Sequence, residues 1–228
     1  MKNNKSNFSK YLVSGVAALA LSAGLASGAS AAENGKFRVG IVTFLSGPAA
    51  GPFGVPSANA AKVLVEALNK GDVPAPYNKM GINGLEIEAV IIDEAGGATK
   101  QVEEYRNLVQ RQKVDAVIGY VSSGDCLAIA PVAEELKTFT IAYDCGTPRL
   151  FADNADAQYM FRTGLDASVD NIGAVRYLAA TRPDVTRLSG IQQNYSWGQD
   201  SWADFTAAAA KLLPDAEIVE EQFPKIYQ

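Results

Sequence analysis

Hydrophobic and polar positions follow two different periods along the chain. Short apolar runs in which Val and Ile are frequent lie at 36–44, 85–92, 114–119 and 138–143. Longer segments with apolar residues three or four positions apart lie between them, at 56–70, 98–112 and 124–136. The short runs predict strands that are buried on both faces, and the longer segments predict amphipathic helices. Strands that alternate with helices in this way indicate βαβ units and a parallel sheet.

A polar, turn-rich stretch at 146–156 separates this first series from a second one. The second series contains predicted strands at 159–162, 186–191 and 217–222 and predicted helices at 167–180 and 197–213. The pattern therefore predicts an α/β fold with two Rossmann-like lobes built on parallel sheets. We place the N-terminal lobe at residues 33–147 and a partial C-terminal lobe at 148–228. The second lobe is expected to be incomplete because its strands are few.

The N-terminus has the three parts of a secretory signal peptide. Three lysines lie within the first ten residues, an apolar run follows at 11–25, and an Ala-Ser-Ala cleavage site lies at 29–31. A transmembrane anchor is disfavoured because the apolar run is short and is interrupted by Ser and Gly. We therefore assign residues 1–32 to a cleaved signal peptide and expect the mature protein in the periplasm.

Composition argues against nucleic-acid binding and weakens the case for an enzyme. The chain has 20 Lys and Arg against 25 Asp and Glu, a net charge of −5, and its basic residues are scattered. It has no histidine, which is the most common general base and metal ligand. No hydrolase or metal-binding motif is present. The sequence therefore predicts a binding protein without catalytic residues, metal or cofactor.

The two cysteines each follow a predicted strand, and the two strands are expected to be neighbours in the sheet. An oxidising compartment would allow Cys126 and Cys145 to form a disulfide. Free Cys is also a common core residue, so two buried thiols are the alternative. The sequence leaves both arrangements open, because it does not provide the distance between the two Cα atoms.

Ligands of open parallel sheets bind at the carboxyl ends of the strands, and this directs attention first to two loops of the N-terminal lobe. Loop 46–54 contains Ser46 and Phe53 among glycines that allow close backbone approach; the alternative is an ordinary βα turn. Loop 119–125 contains Tyr120, Ser122 and Ser123 in front of a helix N-terminus, which attracts a carboxylate. The alternative for this loop is that a serine caps the helix, which is compatible with carboxylate binding because both roles use the same geometry.

Two further loops complete the candidate site. The third contains Asp144, Cys145, Gly146 and Thr147; Asp144 is placed either to receive a cationic group of a solute or to form a cap or salt bridge. The fourth, at 194–200, contains Tyr195 and Trp197. Its aromatic side chains are suited to close over a solute, and the alternative is that Trp197 packs as core behind an N-cap at Ser196.

Four segments of the chain carry a family resemblance: VGIVTFLSGPAAGPFGVPSANAAKVLVEALN, KVDAVIGYVSSGDCLAIAPVAEEL, FRTGLD and NYSWGQDSWADF. They resemble the substrate-binding proteins of ABC importers, specifically the branched-chain amino-acid (Leu/Ile/Val) group of type I periplasmic binding proteins. The resemblance implies two lobes that close on a solute and a permease partner in the inner membrane. It also implies that Ser122 and Ser123 bind the solute's carboxylate, that residues 144–147 add backbone contacts, that Phe53 lines the pocket and that Trp197 stacks on the solute.

The chain departs from this family in two respects. The resemblance covers only about the first half of the usual mature protein, which suggests a C-terminally truncated member. The sequence Asp144-Cys145-Gly146 also replaces the small neutral residues of amino-acid binders. The solute is therefore left open between an amino acid, an aromatic acid and an amide. A sensory domain of the same fold and, with less support, a hydrolase are the alternative functions.

Overall fold

Parallel strands and flanking helices form the computed structural model, which describes residues 35–225. The strands are β1 (Lys36–Thr43), β2 (Glu86–Asp93), β3 (Ala116–Gly119), β4 (Thr140–Ala142), β5 (Met160–Arg162), β6 (Arg187–Ile191) and β7 (Glu217–Gln222). The helices are α1 (Val55–Lys70), α2 (Gly97–Arg106), α3 (Ser123–Leu136), α4 (Arg149–Ala152), α5 (Ala167–Thr181) and α6 (Ser196–Leu212). The predicted signal peptide lies outside the described residues.

The first five strands form one parallel sheet in the order β2-β1-β3-β4-β5. We call these strands and their helices the β1–β5 lobe, residues 36–162. Because β1 lies between β2 and β3, the strand order changes direction beside β1, and ligands of such sheets bind at this switch point. The loops after β1, β3 and β4 consequently lie at the same edge. The predicted lobe boundary at residue 147 stays a prediction, and β5 extends the first sheet beyond it.

The two faces of this sheet differ in how completely they are covered. One face packs against α2 and α3 around fully buried residues that include Val42, Leu108, Val117 and Ile129. On the other face α1 packs over β1 and β2. An apolar groove of about 430 Å³ remains open between α1 and the sheet. The aromatic rings of Phe139 and Phe161, 5.3 Å apart, are also exposed.

The remaining two strands pair in parallel and, with α5 and α6, form the β6–β7 lobe, residues 167–222. Its buried core is small and consists of Val175, Ala208, Ala209 and Leu213. Trp202 packs directly on the backbone of Gly190, where an added Cβ would lie 2.4 Å from the indole ring. Every residue of β7 is exposed.

The α/β fold with parallel sheets is as predicted, and the differences are local. The predicted helix 98–112 is α-helical only to Arg106 and continues as a π-helical turn at Asn107–Arg111. The short helix α4 lies inside the stretch that was predicted to be an irregular connection. Within residues 35–225, the helices are all too short or too polar to cross a membrane.

Candidate functional site

The loop between β3 and α3 is organised by a helix cap. The Ser122 side chain accepts a hydrogen bond from the backbone N–H of Asp125 at 3.3 Å, so Ser122 is the N-cap of α3. The next residue, Ser123, is 1% exposed, and its hydroxyl has no hydrogen-bond partner among the described residues. Ser123 and Gly124 are the first residues of α3, where backbone N–H groups have no acceptor within the helix. This helix terminus therefore offers donors for an anion.

A buried carboxyl already uses part of this loop. Glu94, at the carboxyl end of β2, is fully buried and accepts hydrogen bonds from the N–H groups of Val121 at 2.9 Å and Ser122 at 2.7 Å. Burial raises the pKa of Glu94 to about 8; the two N–H groups oppose the shift, and the charges of Asp125 and Asp144 add to it. The donors that remain for a solute carboxylate are therefore the N–H groups of Ser123 and Gly124 and the hydroxyl of Ser123.

The role of Glu94 could not be seen in the sequence, where it reads only as half of an adjacent Asp-Glu pair. The one available signal is its position directly after a buried strand, at the edge where ligands bind. Its N–H partners become visible only when β2 and β3 are placed on either side of β1.

The loop after β1 is held mainly by its own neighbours. The hydroxyl of Ser46 donates to a carboxylate oxygen of Asp93 at 2.5 Å, and the N–H of Leu45 donates to the other oxygen at 2.9 Å. Phe53 lies in a π-helical turn before α1 and is 45% exposed. The binding roles of Ser46 and Phe53 stay predictions.

The loop after β4 is tied to α3 by a disulfide. Cys126 and Cys145 are bonded, with their Cα atoms 6.4 Å apart, and both are fully buried. Of the two arrangements that the sequence left open, the structure thus has the bridge. Asp144 beside it is exposed and, among the described residues, forms neither the cap nor the salt bridge considered as its alternative role. Partial desolvation raises the pKa of the Asp144 carboxyl.

Three of the four candidate loops meet across the two lobes. An added Cβ at Gly146 would lie 2.7 Å from the indole ring of Trp197, so only glycine allows this close approach. The hydroxyl of Thr147 donates to a carboxylate oxygen of Asp200 at 2.6 Å. The hydroxyl of Ser196 lies 4.0 Å from the position of a Cβ at Gly124. The loops 119–125, 143–147 and 194–200 are therefore neighbours.

Arg162 fastens the connection between the lobes, although the sequence assigned it no role. Its guanidinium donates to the carbonyl oxygens of Cys145 at 3.1 Å and Thr147 at 2.7 Å. It also pairs with the carboxylate of Asp166, the N-cap of α5, at 2.9 Å. The loop after β4 and the start of α5 are thus held by one side chain.

Two aromatic candidates occupy different environments. Tyr120 is fully buried in the core between the sheet and α3, with a hydroxyl that lacks a hydrogen-bond partner in the described part of the chain. Tyr195 and Trp197 are half-buried, with ring centroids 6.4 Å apart. Tyr195 rather than Ser196 is the N-cap of α6, so the cap named in the alternative interpretation of this loop lies one residue earlier. A ligand contact of Tyr120 stays a prediction.

Residues 35–225 contain no group of three or more side chains that could hold a metal ion. The arrangement of donors at a helix N-terminus, an exposed carboxylate and an indole ring is suited to holding a small polar molecule.

Solved structures of solute-binding proteins share this fold. One, from Rhodopseudomonas palustris BisB5 in complex with 3,4-dihydroxybenzoic acid, has 21% identity and a TM-score of 0.66 over 84% of this chain and 47% of that chain. LivJ from Streptococcus pneumoniae, in complex with isoleucine, has 19% identity and a TM-score of 0.69 over 85% of this chain and 51% of that chain. A periplasmic binding protein from Burkholderia mallei has 18% identity and a TM-score of 0.71 over 84% and 47% of the two chains.

The chain thus spans about half the length of each of these structures. At this level of identity the similarity establishes the fold, a type I periplasmic binding protein with α/β lobes. No curated protein matches the chain. The family model described as "Periplasmic binding protein" matches residues 36–227. Because that match covers most of the sequence, the chain belongs to the periplasmic binding protein family.

Proposed function

We propose that the protein is the periplasmic solute-binding component of an ABC importer and delivers its solute to a permease in the inner membrane. The observation that carries this proposal is the meeting of loops 119–125, 143–147 and 194–200 between the two lobes. Each loop joins a strand end to a helix, as expected for a ligand cleft in this fold. The family supports a binding role, and the signal peptide predicted at residues 1–32 supports the location.

The N-terminus of α3 is the proposed site for a carboxylate or amide group of the solute. The unpartnered hydroxyl of Ser123 is buried beside the first N–H groups of the helix, so a ligand oxygen would satisfy several donors together. Trp197, against Gly146, supplies an apolar surface for the rest of the molecule. Benzoates and isoleucine, which the similar solved proteins bind, are both small carboxylates, and we propose a solute of this size.

Isothermal titration calorimetry of the protein expressed from its own gene tests this function. The panel contains isoleucine, benzoate, 4-hydroxybenzoate and acetamide, and we expect at least one compound to bind. Replacing Ser123 by Ala should weaken a carboxylate ligand by about 1–3 kcal/mol, because the ligand loses one hydrogen bond. Ser189→Ala, on exposed β6, is the matched control and should leave the affinity unchanged.

The possible results distinguish an error in the assignment of Ser123 from an error in the proposed solute-binding function. If a carboxylate binds Ser123→Ala as tightly as the unaltered protein, then Ser123 is not part of the site. If no compound of the panel or of a wider set of amino acids and aromatic acids binds, the proposed function itself is contradicted.

A further inference from the structure

Asp144 lies on a firmly held backbone and has no counter-ion among residues 35–225. The preceding residue, Tyr143, is anchored by its phenol oxygen 2.7 Å from the hydroxyl oxygen of Thr43. The following residue, Cys145, is bonded to Cys126. The backbone of Asp144 is thus held from both sides, while its own side chain is exposed and makes no ion pair or hydrogen bond within residues 35–225. Many surface carboxylates contact only water, but Asp144 lies in a loop that contacts the other lobe.

The surroundings of Asp144 are acidic. Glu94 and Asp125 lie near enough for the charge of Asp144 to add to the raised pKa of Glu94. Arg162, a cation on the neighbouring strand β5, directs its guanidinium to two carbonyl oxygens and to Asp166 instead. Partial desolvation is the one influence on the pKa of the Asp144 carboxyl, which it raises, and no neighbouring cation acts to lower that pKa. Within residues 35–225 the carboxylate of Asp144 is therefore not compensated.

Two independent features support a ligand site beside this acidic group. The hydroxyl of Ser123 is buried and unpartnered in the adjoining loop, immediately after the N–H of Ser122 that binds Glu94. The loop of Asp144 itself touches the indole of Trp197 through Gly146. A carboxylate two residues from the contact with an indole ring favours a cation, because the negative charge attracts it and an aromatic ring nearby adds a cation–π attraction.

We propose that Asp144 binds a positively charged group of the solute, an ammonium or amidinium, next to Trp197. This proposal rests on the proposed solute-binding function and restricts the chemical class of the solute. The solute then carries an amine in addition to any group held by the N-terminus of α3. Simple aromatic acids such as benzoate lack such a group and would meet an uncompensated negative charge.

Calorimetry with compounds that share one ring and differ in charge tests the proposal. The probes are phenylalanine, benzylamine and benzoate, with isoleucine and 3-methylpentanoate as an aliphatic pair. We expect an amine-bearing probe to bind the unaltered protein and to lose affinity about tenfold or more in Asp144→Asn. The affinity of Asp144→Asn for a carboxylate without an amine should be equal or higher, because a repulsive charge is gone. Thermal unfolding should be unchanged, since Asp144 has no partner to lose.

Asp156→Asn is the matched control because it removes one negative charge from an exposed residue outside the three loops. It should leave all affinities unchanged. Equal binding of amines by the unaltered protein and Asp144→Asn would overturn the proposal. Binding of benzoate or 3-methylpentanoate with no binding of any amine would also overturn it, yet would leave the solute-binding function intact. Failure of every probe contradicts both proposals.

Discussion

The two lobes support the loops of the candidate site by different means. In the β1–β5 lobe, the loops after β3 and β4 are held by a disulfide, a helix cap and the buried Glu94, all internal to that lobe. In the β6–β7 lobe, α6 begins without a side-chain cap, and its first turn reaches across to Gly146 and Thr147. The contrast indicates that the loops of the first lobe are held within that lobe, whereas the loop of the second is also positioned by contact with the first.

The largest difference between the two lobes is expected in how much their cores contribute to the free energy of unfolding. Leu108 is fully buried in the β1–β5 lobe, whereas Leu178 is only partly buried against the small core of the β6–β7 lobe. Leu108→Ala should lower the free energy of unfolding by about 2–5 kcal/mol, because it removes buried apolar surface and leaves a cavity. Leu178→Ala is the matched substitution and should cost clearly less. Urea denaturation of both variants measures the difference; equal losses would show that the lobes are equally consolidated.

Glu94 makes the stability of the β1–β5 lobe depend on pH. Its pKa in the folded protein, about 8, lies above the ordinary value of 4.5. The folded state therefore holds a proton that the unfolded state releases between these values, so the free energy of unfolding falls as pH rises from 4.5 towards 8. Glu94→Gln cannot ionise and should flatten this dependence, by a few kcal/mol at most.

Chemical denaturation at pH 5 and pH 9 tests this expectation. Glu103→Gln, which changes an exposed carboxyl on α2, serves as the control and should retain the pH dependence. An equal pH dependence in Glu94→Gln and the unaltered protein would mean that Glu94 is ionised in its N–H cradle at neutral pH.

The helix cap should give the smallest effect. Ser122→Ala removes the acceptor for the N–H of Asp125 and should destabilise the ligand-free protein by about 1 kcal/mol. Ser123→Ala, one residue further, removes a hydroxyl without a described partner and should be nearly neutral. Differential scanning calorimetry of the two variants would show whether the cap is the stabilising group; a larger loss for Ser123→Ala would reverse the assignment.

The secondary structure was largely predictable, because each buried strand is an apolar run and each helix has an apolar face. Strand β7 has the predicted bounds, and β1 ends one residue earlier than predicted. The order of strands in the sheet depends on packing between residues far apart in the chain. The bond from Ser122 to Glu94 joins residues 28 apart, and the bond from Thr147 to Asp200 joins residues 53 apart. Neither pair has a local pattern from which it could be read.

The meeting of the candidate loops was predictable, but their internal bonding was not. The rule that ligands bind at the carboxyl ends of parallel strands led to four loops, and three of them are neighbours in the structure. That these loops bind a ligand stays a prediction. The rule could not show that Glu94 would take the N–H groups of Val121 and Ser122, because that depends on the direction of one side chain. The bonds from Arg162 to the loop after β4 and to Asp166 were missed for the same reason, because they too depend on the direction of one side chain.

The disulfide between Cys126 and Cys145 also makes the structure of the Asp144 segment depend on the redox compartment. In the reducing cytosol these sulfurs would remain separate thiols, and the segment bearing Asp144 would be tethered to α3 by packing alone. The final geometry of that segment is then reached only where an oxidant is available. With the periplasmic location proposed above, the Asp144 segment would take its final geometry only after translocation, on the side of the membrane where an oxidant is present.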